Sequence, residues 1–426
     1  MKQLRIAMIT RNFATHGGGA ERYAVAIAEQ LATRHELHVF AQAIEHDDAR
    51  ITYHRLPAMR KPRWLNQWLF ARRVARLTAT GFDIVHSHEN GAAGQVQTVH
   101  VRPMRHNLLP ADSGLARRLA QWLKIVTSLR LMVYLRLEAA RFKPCPGRVI
   151  GVVSSTLRDE MAASYPTSRA CLQIIAPGVV VPTHPPEKNA ARAMLGVPQD
   201  GLMLLFVAND YRRKGLDTLL DAISIVARME AEGWESGKRT PVDERGAVAP
   251  GLRCASSGLQ PLAPSPLAGE GWGEGGIRLI VVGNPAQAQE YQAHCRSLGL
   301  AEQVHFLGSQ SDMQPVYAAA DMLVHPTRED SFGMVVLEAM AQGVPVIVSR
   351  APFCGLSAEL AADEALLLQD PYSAEELAAA LQSLLDDAPR RAELAATGRI
   401  VAARYDWAKQ AQRYEQLYFQ LLARPS

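Results

Sequence analysis

Apolar residues recur along this 426-residue chain in two rhythms. Short unbroken runs of β-branched and aliphatic residues alternate with longer stretches in which apolar positions return every three or four residues. The first run, Leu4–Thr10, reads as a strand. The stretch Ala20–Ala32 beyond it puts Tyr23, Ile27 and Leu31 on one helical face. Gly17, Gly18 and Gly19 make the turn between them, and Leu37–Phe40, Asp83–His86 and Gln97–His100 follow as further strands. Strand and helix in alternation predict a parallel sheet with helices on both faces.

The alternation starts again past residue 200. Met203–Val207 reads as a strand, Leu216–Met229 as a helix and Arg278–Gly283 as a strand. Val304–Leu307, Met322–His325 and Pro345–Val348 continue the series. The chain is too long for one ordinary core. The expected fold class is therefore α/β, with two Rossmann-like doubly wound domains joined near the proline-rich Pro177–Pro186. The stretch from about Trp234 to Gly276, including PLAPSPLAGEGWGEGG, lacks apolar periodicity and is rich in Gly, Pro and Ser. It reads as a disordered, functionally silent insertion, the alternative being a binding loop. Such a loop is tolerated because the cost of closing it grows slowly with length.

Composition narrows the class. The 48% apolar and 21% charged shares are those of a soluble globular protein. Five scattered cysteines without a C-x-x-C pair suggest neither a disulfide framework nor a zinc site, and a reducing cytoplasm fits. Met1–Thr10 has no long apolar segment before a cleavage site, and no apolar run reaches the roughly 20 residues of a spanning helix. Residues 1–178 hold 25 Lys and Arg against 12 Asp and Glu, while the remainder holds 21 against 30. The basic half faces either an anionic partner or simply water. No nucleic-acid recognition motif accompanies it.

Two basic, aromatic-containing stretches lie in that half. Arg60–Arg76 carries Trp64, Trp68 and Phe70. Leu115–Leu137 sets Leu115, Leu119, Trp122, Val126, Leu129 and Val133 on one helical face, with Arg117 and Lys124 opposite. Two readings stay open: a core-facing stripe, or a helix lying on an anionic membrane surface.

Candidate chemistry clusters in four segments. In HPTREDSFGMVVLEAMAQGVPVIV, a strand ends at His325, Ser331-Phe332-Gly333 opens a helix reaching about Gln342, and Gly343 sits where a helix ends. The free N–H groups from Gly333 through Met334 to Val335 suit a phosphate or a sugar hydroxyl. Glu338 is a lone acid among apolar neighbours. In LFVANDYRRKGLDTLL, Arg212, Arg213 and Lys214 meet the start of a helix, where cations are otherwise disfavoured unless an anion binds there. Thr15–Arg22 holds a Gly-rich turn without the G-x-G-x-x-G fingerprint. In Val96–His100 a histidine ends a strand, either satisfied in the core or facing a ligand; His86 and His88 read as structural.

The first of these segments resembles the donor motif of the family 4 (group 1) retaining glycosyltransferases, which have the GT-B fold. Glu338 matches the second acid of that motif, and Asp330, eight residues earlier, stands where the family has Glu. Lys214 matches the family's diphosphate-holding Lys. Asn209 occupies the partner Arg position, so Arg213 or Arg212 supplies that charge. Gly18, Gly19 and Glu21 match a Gly-Gly-x-Glu turn facing the donor phosphates, and His100 a position near the transferred sugar. Gly283 and Asn284 match the turn near the donor base, while Pro177-Gly178 replaces the family's Asn-Gly.

The resemblance implies two domains facing across a cleft that closes to exclude water: an acceptor domain over 1–178 and a donor domain over 179–404. A C-terminal helix over 405–426, opened by Tyr405-Asp406-Trp407, returns to the first. It further implies retention at the anomeric carbon and neither an essential metal nor a cofactor, the nucleotide-sugar being a co-substrate. Lys214, Arg213, Asp330 and His100 would form the catalytic set. Ser331, Phe332, Gly333, Met334, Val335 and Glu338 would bind the donor with Asn209, Gly18, Gly19, Glu21, Gly283 and Asn284. The first domain is similar to bacterial lipopolysaccharide-core glucosyltransferases. That similarity implies a UDP-sugar donor, a glycan or lipid-linked envelope acceptor, and a cytoplasmic location, on the inner membrane's cytoplasmic face if the basic helix binds it. The alternatives are a non-catalytic nucleotide-sugar-binding protein and a nucleotide-dependent oxidoreductase.

Overall fold

The computed structural model describes residues 2–15, 18–109, 114–236 and 276–423. His16 and Gly17 of the first glycine turn lie outside them, as does most of the expected insertion, 237–275.

The chain divides into two compact units. The first comprises Met1–Val180, Ser331–Met334 and Ala403–Ser426, the second Val181–Asp330 and Val335–Ala402. The first unit opens with β1 (Arg5–Ile9), β2 (Asn12–Ala14), α1 (Gly19–Ala32), β3 (Glu36–Ala41), β4 (Ala43–Glu45) and β5 (Ile51–Arg55). It continues with α2 (Arg63–Leu77), β6 (Ile84–Ser87), β7 (Val96–Val99), α3 (Met104–Leu108) and α4 (Leu115–Val126). Next come α5 (Leu129–Phe142), β8 (Val149–Val152), α6 (Ser155–Ser164) and β9 (Leu172–Ile174).

The second unit runs through α7 (Lys188–Leu195), β10 (Leu202–Ala208), α8 (Leu216–Ser236), β11 (Ile277–Gly283), α9 (Pro285–Ser297) and β12 (Val304–Gly308). There follow α10 (Gln314–Ala319), β13 (Met322–His325), α11 (Met334–Gln342), β14 (Val346–Ser349), β15 (Leu366–Leu368), α12 (Ala374–Leu385) and α13 (Ala388–Ala403). The last helix, α14 (Trp407–Leu422), counts with the first unit.

Both large sheets are parallel. The first has the order β5-β3-β1-β6-β7-β8-β9 and the second β12-β11-β10-β13-β14-β15. In each, the strands step outward one way and then restart beside the first, which is the Rossmann winding. The strands are buried on both faces, hence the continuous apolar runs of β10 (LMLLFVA) and β11 (IRLIVVG). The second core packs Leu204, Phe206, Leu219, Leu220, Ile223, Leu279 and Val281 against Leu377 and Leu381 of α12.

The helix expected over Leu216–Met229 continues to Ser236, so Trp234 belongs to α8 and not to the insertion. The helix expected to open at Ser331 begins at Met334, and Gly333 before it has φ +102°. The single helix expected over Leu115–Leu137 is two, divided where Ser128 leaves helical geometry and its hydroxyl accepts from the Leu131 amide.

In α14, the Asp406 carboxylate caps the first turn by accepting from the Ala408 (2.6 Å) and Lys409 (3.2 Å) amides. The Val179 amide bonds the Tyr405 carbonyl at 2.6 Å. Trp407 lies so close over Gly178 that a Cβ there would come within 2.6 Å of its ring. The helix then buries Tyr414, Leu417 and Tyr418.

Candidate active site

In a doubly wound sheet the crevice for ligands opens at the carboxyl ends of the two strands between which the winding reverses. In the second unit those strands are β10 and β13. The loop after β10 carries Asn209–Lys214, and the loop after β13 carries Arg328–Asp330. Their side chains meet: Lys214 Nζ lies 2.5 Å from Asp330 Oδ2 and also donates to the Glu329 carbonyl at 3.0 Å. His325, the last residue of β13, donates from Nε2 to the same Asp330 oxygen at 3.1 Å. Asp330 is fixed through its backbone as well, its amide donating to Phe353 and its carbonyl accepting from Gly355.

The lysine and aspartate side chains keep 14% and 19% of their surface, so this ion pair is reachable without being freely solvated. Burial acts to raise the Asp330 carboxyl. The Lys214 charge and the His325 hydrogen bond outweigh it and hold the group below the usual carboxylate range. Burial pushes His325 down, against the pull of Asp330.

Two glycines let these loops close up. Gly215, after Lys214, has φ +80°, and a Cβ on it would stand 2.2 Å from the Pro326 carbonyl oxygen. Gly283, at the end of β11, has φ +142°, and a Cβ there would overlap the Ala208 carbonyl at 1.6 Å. Only glycine fits either place. Asn284 next to it caps α9, its Oδ1 accepting from the Ala286 amide at 3.0 Å.

Of the other expected residues in this unit, Glu338 is half-buried on α11 and accepts from the Tyr317 hydroxyl at 2.6 Å. Arg213 is exposed and sits 3.8 Å from Asp210. Asn209 is exposed and Val335 half-buried.

Sequence reasoning overlooked Arg328. Its amide donates to the Arg213 carbonyl (3.0 Å), and its guanidinium reaches the Arg212 carbonyl (3.1 Å), Asp217 (2.7 Å) and Thr218 (3.1 Å) while covering the Tyr372 ring. It ties the Lys214 loop to the Asp330 loop. His325 and Tyr317 were passed over too. Each acts across a loop or between helices, which no periodicity reveals.

In the first unit, His100 follows β7, half-buried, with its Nε2 3.0 Å from Nδ1 of His88. Tyr23 of α1 packs on it at a centroid distance of 4.7 Å. Gly18 precedes α1, Gly19 begins it, and Glu21 lies in its first turn. Ser331, Phe332, Gly333 and Met334 belong to this unit, Phe332 lying edge-on to Tyr405 at 6.0 Å.

The chain matches two family models. That of the glycosyl transferases group 1 covers residues 274–401, and that of glycosyltransferase family 4 covers 17–181, together more than half of the chain. Among its relatives is the D-inositol 3-phosphate glycosyltransferase of Corynebacterium kroppenstedtii, 27% identical over 272 residues, which are 61% of this chain and 51% of that one. The chain thus spans about half the length of such relatives. The lipopolysaccharide glucosyltransferase WaaG of Escherichia coli K12 is 25% identical over 305 residues, 70% of this chain and 69% of that one.

The crystal structure of a WaaG, a glycosyltransferase involved in lipopolysaccharide biosynthesis, superposes with a TM-score of 0.70 at 21% identity, covering 97% of this chain and 99% of that one. HepE of Anabaena, solved with UDP and glucose, gives 0.65 at 18% identity over 98% and 100%. The fold is GT-B, and the oxidoreductase alternative gives way. The chain belongs to the group 1, family 4 glycosyltransferases.

Proposed function

We propose that this chain is a retaining, metal-independent hexosyltransferase. It takes a hexose from a nucleotide-sugar, UDP-linked in the first place, and gives it to a cell-envelope glycan or glycolipid of the lipopolysaccharide-core kind. The observation that carries this proposal is the Lys214–Asp330 pair at the switch point of the second unit, a cation held where an anionic ligand would bind. The WaaG and HepE likenesses support the choice of acceptor and donor.

On this reading Lys214 leaves Asp330 to meet the diphosphate and stabilise its growing charge in the transition state. Arg213, exposed and weakly held, adds to it. The first free amides of α11, Met334 and Val335, share that charge after Ser331, Phe332 and Gly333. Asp330 and Glu338 orient the donor; Asn209, Gly283 and Asn284 line its place. In the first unit His100 serves the transferred sugar, and Gly18, Gly19 and Glu21 the phosphates. No cofactor takes part.

The acceptor's lipid is suggested by α4. Leu115, Leu119, Trp122 and Leu123 are each more than 60% exposed, against the core-facing alternative. Arg117, Arg118 and Lys124 share the helix. A basic helix that turns its apolar side to solvent suits an anionic membrane surface. Among the described residues no helix is long and apolar enough to cross a membrane.

Thermal unfolding against UDP-, GDP- and ADP-sugars, with NAD as control, tests the donor. A ligand at 100 times its Kd adds about 2.7 kcal/mol, a shift of a few degrees. Stabilisation by one nucleotide-sugar class that is lost in Lys214→Met supports the proposal, and stabilisation by none overturns it. Binding without transfer or donor hydrolysis would favour the binding-only alternative. The anomeric configuration of the product decides retention, and activity undiminished by a chelator decides metal independence.

A further inference from the structure

Three histidines stack at the carboxyl ends of β6 and β7. His86 lies on His88 with ring centroids 4.6 Å apart, and His88 on His100 at 5.3 Å with planes 6° apart. Two hydrogen-bond chains run through the stack.

The direction of the first follows from its end. The Tyr23 hydroxyl donates to the Ile175 carbonyl (3.3 Å) and so accepts from Tyr414 (2.9 Å). Tyr414 in turn accepts from Thr98 (2.7 Å), and Thr98 from His86 Nε2 (2.6 Å). The Tyr418 hydroxyl then donates to His86 Nδ1 (2.7 Å). Each hydroxyl has a single hydrogen, so His86 is the Nε2–H tautomer.

The second chain is the 3.0 Å contact between His88 Nδ1 and His100 Nε2. Only one of the two nitrogens carries the shared hydrogen. The other nitrogen of His88, Nε2, is buried and has no hydrogen-bond partner among the described residues. The positive charge of Arg141 bears on all three rings, itself held by the Thr98 carbonyl and by Asn90 (3.1 Å). An N–H at Nε2 would be buried without an acceptor and would forfeit its hydrogen bond, whereas at Nδ1 the hydrogen has one in His100. The hydrogen of His88 therefore sits on Nδ1.

We propose that His88 is a positioning residue which donates from Nδ1 to His100 Nε2 and thereby locks His100 in the Nδ1–H tautomer, so that His100 meets its ligand as a hydrogen-bond donor and not as a base. Burial agrees, pushing the His100 imidazole down to about 3 and so keeping it neutral. The consequence for sugar transfer rests on the function proposed above, whereas the tautomer itself does not.

The test is two-bond 1H–15N correlation on the full chain labelled with 15N-histidine, near pH 7.5, with His86 as an internal reference for the Nε2–H form. His100 is expected as Nδ1–H. His88→Phe keeps a stacked ring but removes the donor, and should turn His100 to the Nε2–H form that a free side chain favours. His88→Asn puts an amide nitrogen where Nδ1 was and should preserve Nδ1–H. An Nε2–H or protonated His100 in the wild type overturns the proposal, as does a His100 unchanged in His88→Phe. If that variant does not fold, the wild-type and His88→Asn spectra still decide. Absence of any nucleotide-sugar effect on these spectra would count against the donor site and leave the tautomer result standing.

Discussion

At the scale of single residues, the contacts of Lys214 and Asp330 separate stability from chemistry. Removing Lys214 leaves a half-buried carboxylate without its main counter-charge, which costs about 2 kcal/mol or more. Lys214→Met should therefore destabilise more than Lys214→Met combined with Asp330→Asn, while both lose donor binding; a double-mutant cycle by denaturant titration reads the difference. The histidine stack gives a pH signature. His86 is fully buried and burial pushes it down to about 3, against about 6.5 in an unfolded chain. The unfolded state alone takes up that proton, so the stabilisation is complete above pH 6.5 and falls by about 1.4 kcal/mol per pH unit below it, down to the folded value. His86→Gln lowers stability at neutral pH, and its unfolding midpoint should then drop less between pH 7 and pH 5 than that of the wild type. Equal drops would show that His86 takes up its proton without unfolding.

At the scale of elements, α4 and α14 make opposite demands. The apolar residues of α4 are already in solvent, so Leu119→Glu with Trp122→Glu should change stability within about 0.5 kcal/mol and abolish flotation with anionic vesicles. Vesicle binding that survives both substitutions would remove the membrane from the picture. In α14, Asp406→Ala forfeits two capping hydrogen bonds and should cost about 1 kcal/mol, measured as a fall in the denaturation midpoint.

Elements were legible where burial made them so. β10 and β11 announce themselves as apolar runs because helices cover both their faces. By contrast β5 (ITYHR) and β9 (LQI), at the sheet edges, and the three-residue β2 and β4 carry too little of that signal. The break between α4 and α5 has neither Gly nor Pro to mark it, only the hydroxyl of Ser128. In the site, resemblance put Lys214 and Asp330 on two loops. That they touch, with His325 completing the group and Arg328 binding the loops, is a product of the winding and is absent from local sequence.

At the scale of the whole molecule, α14 makes the first unit discontinuous in sequence. A chain ended at residue 402 would lose Tyr414 and Tyr418, and with them the partners of Tyr23, Thr98 and His86. Such a chain should keep the unfolding transition of the second unit and lose that of the first, as read by calorimetry.

The same discontinuity bears on synthesis. Domains usually fold in the order in which they leave the ribosome. Here residues 403–423 emerge only after every residue of the second unit, so the first unit cannot complete its fold until translation has passed the whole of the other. For as long as that takes, Tyr23, His86 and the apolar surface around them are open to a chaperone, or to a neighbouring nascent chain.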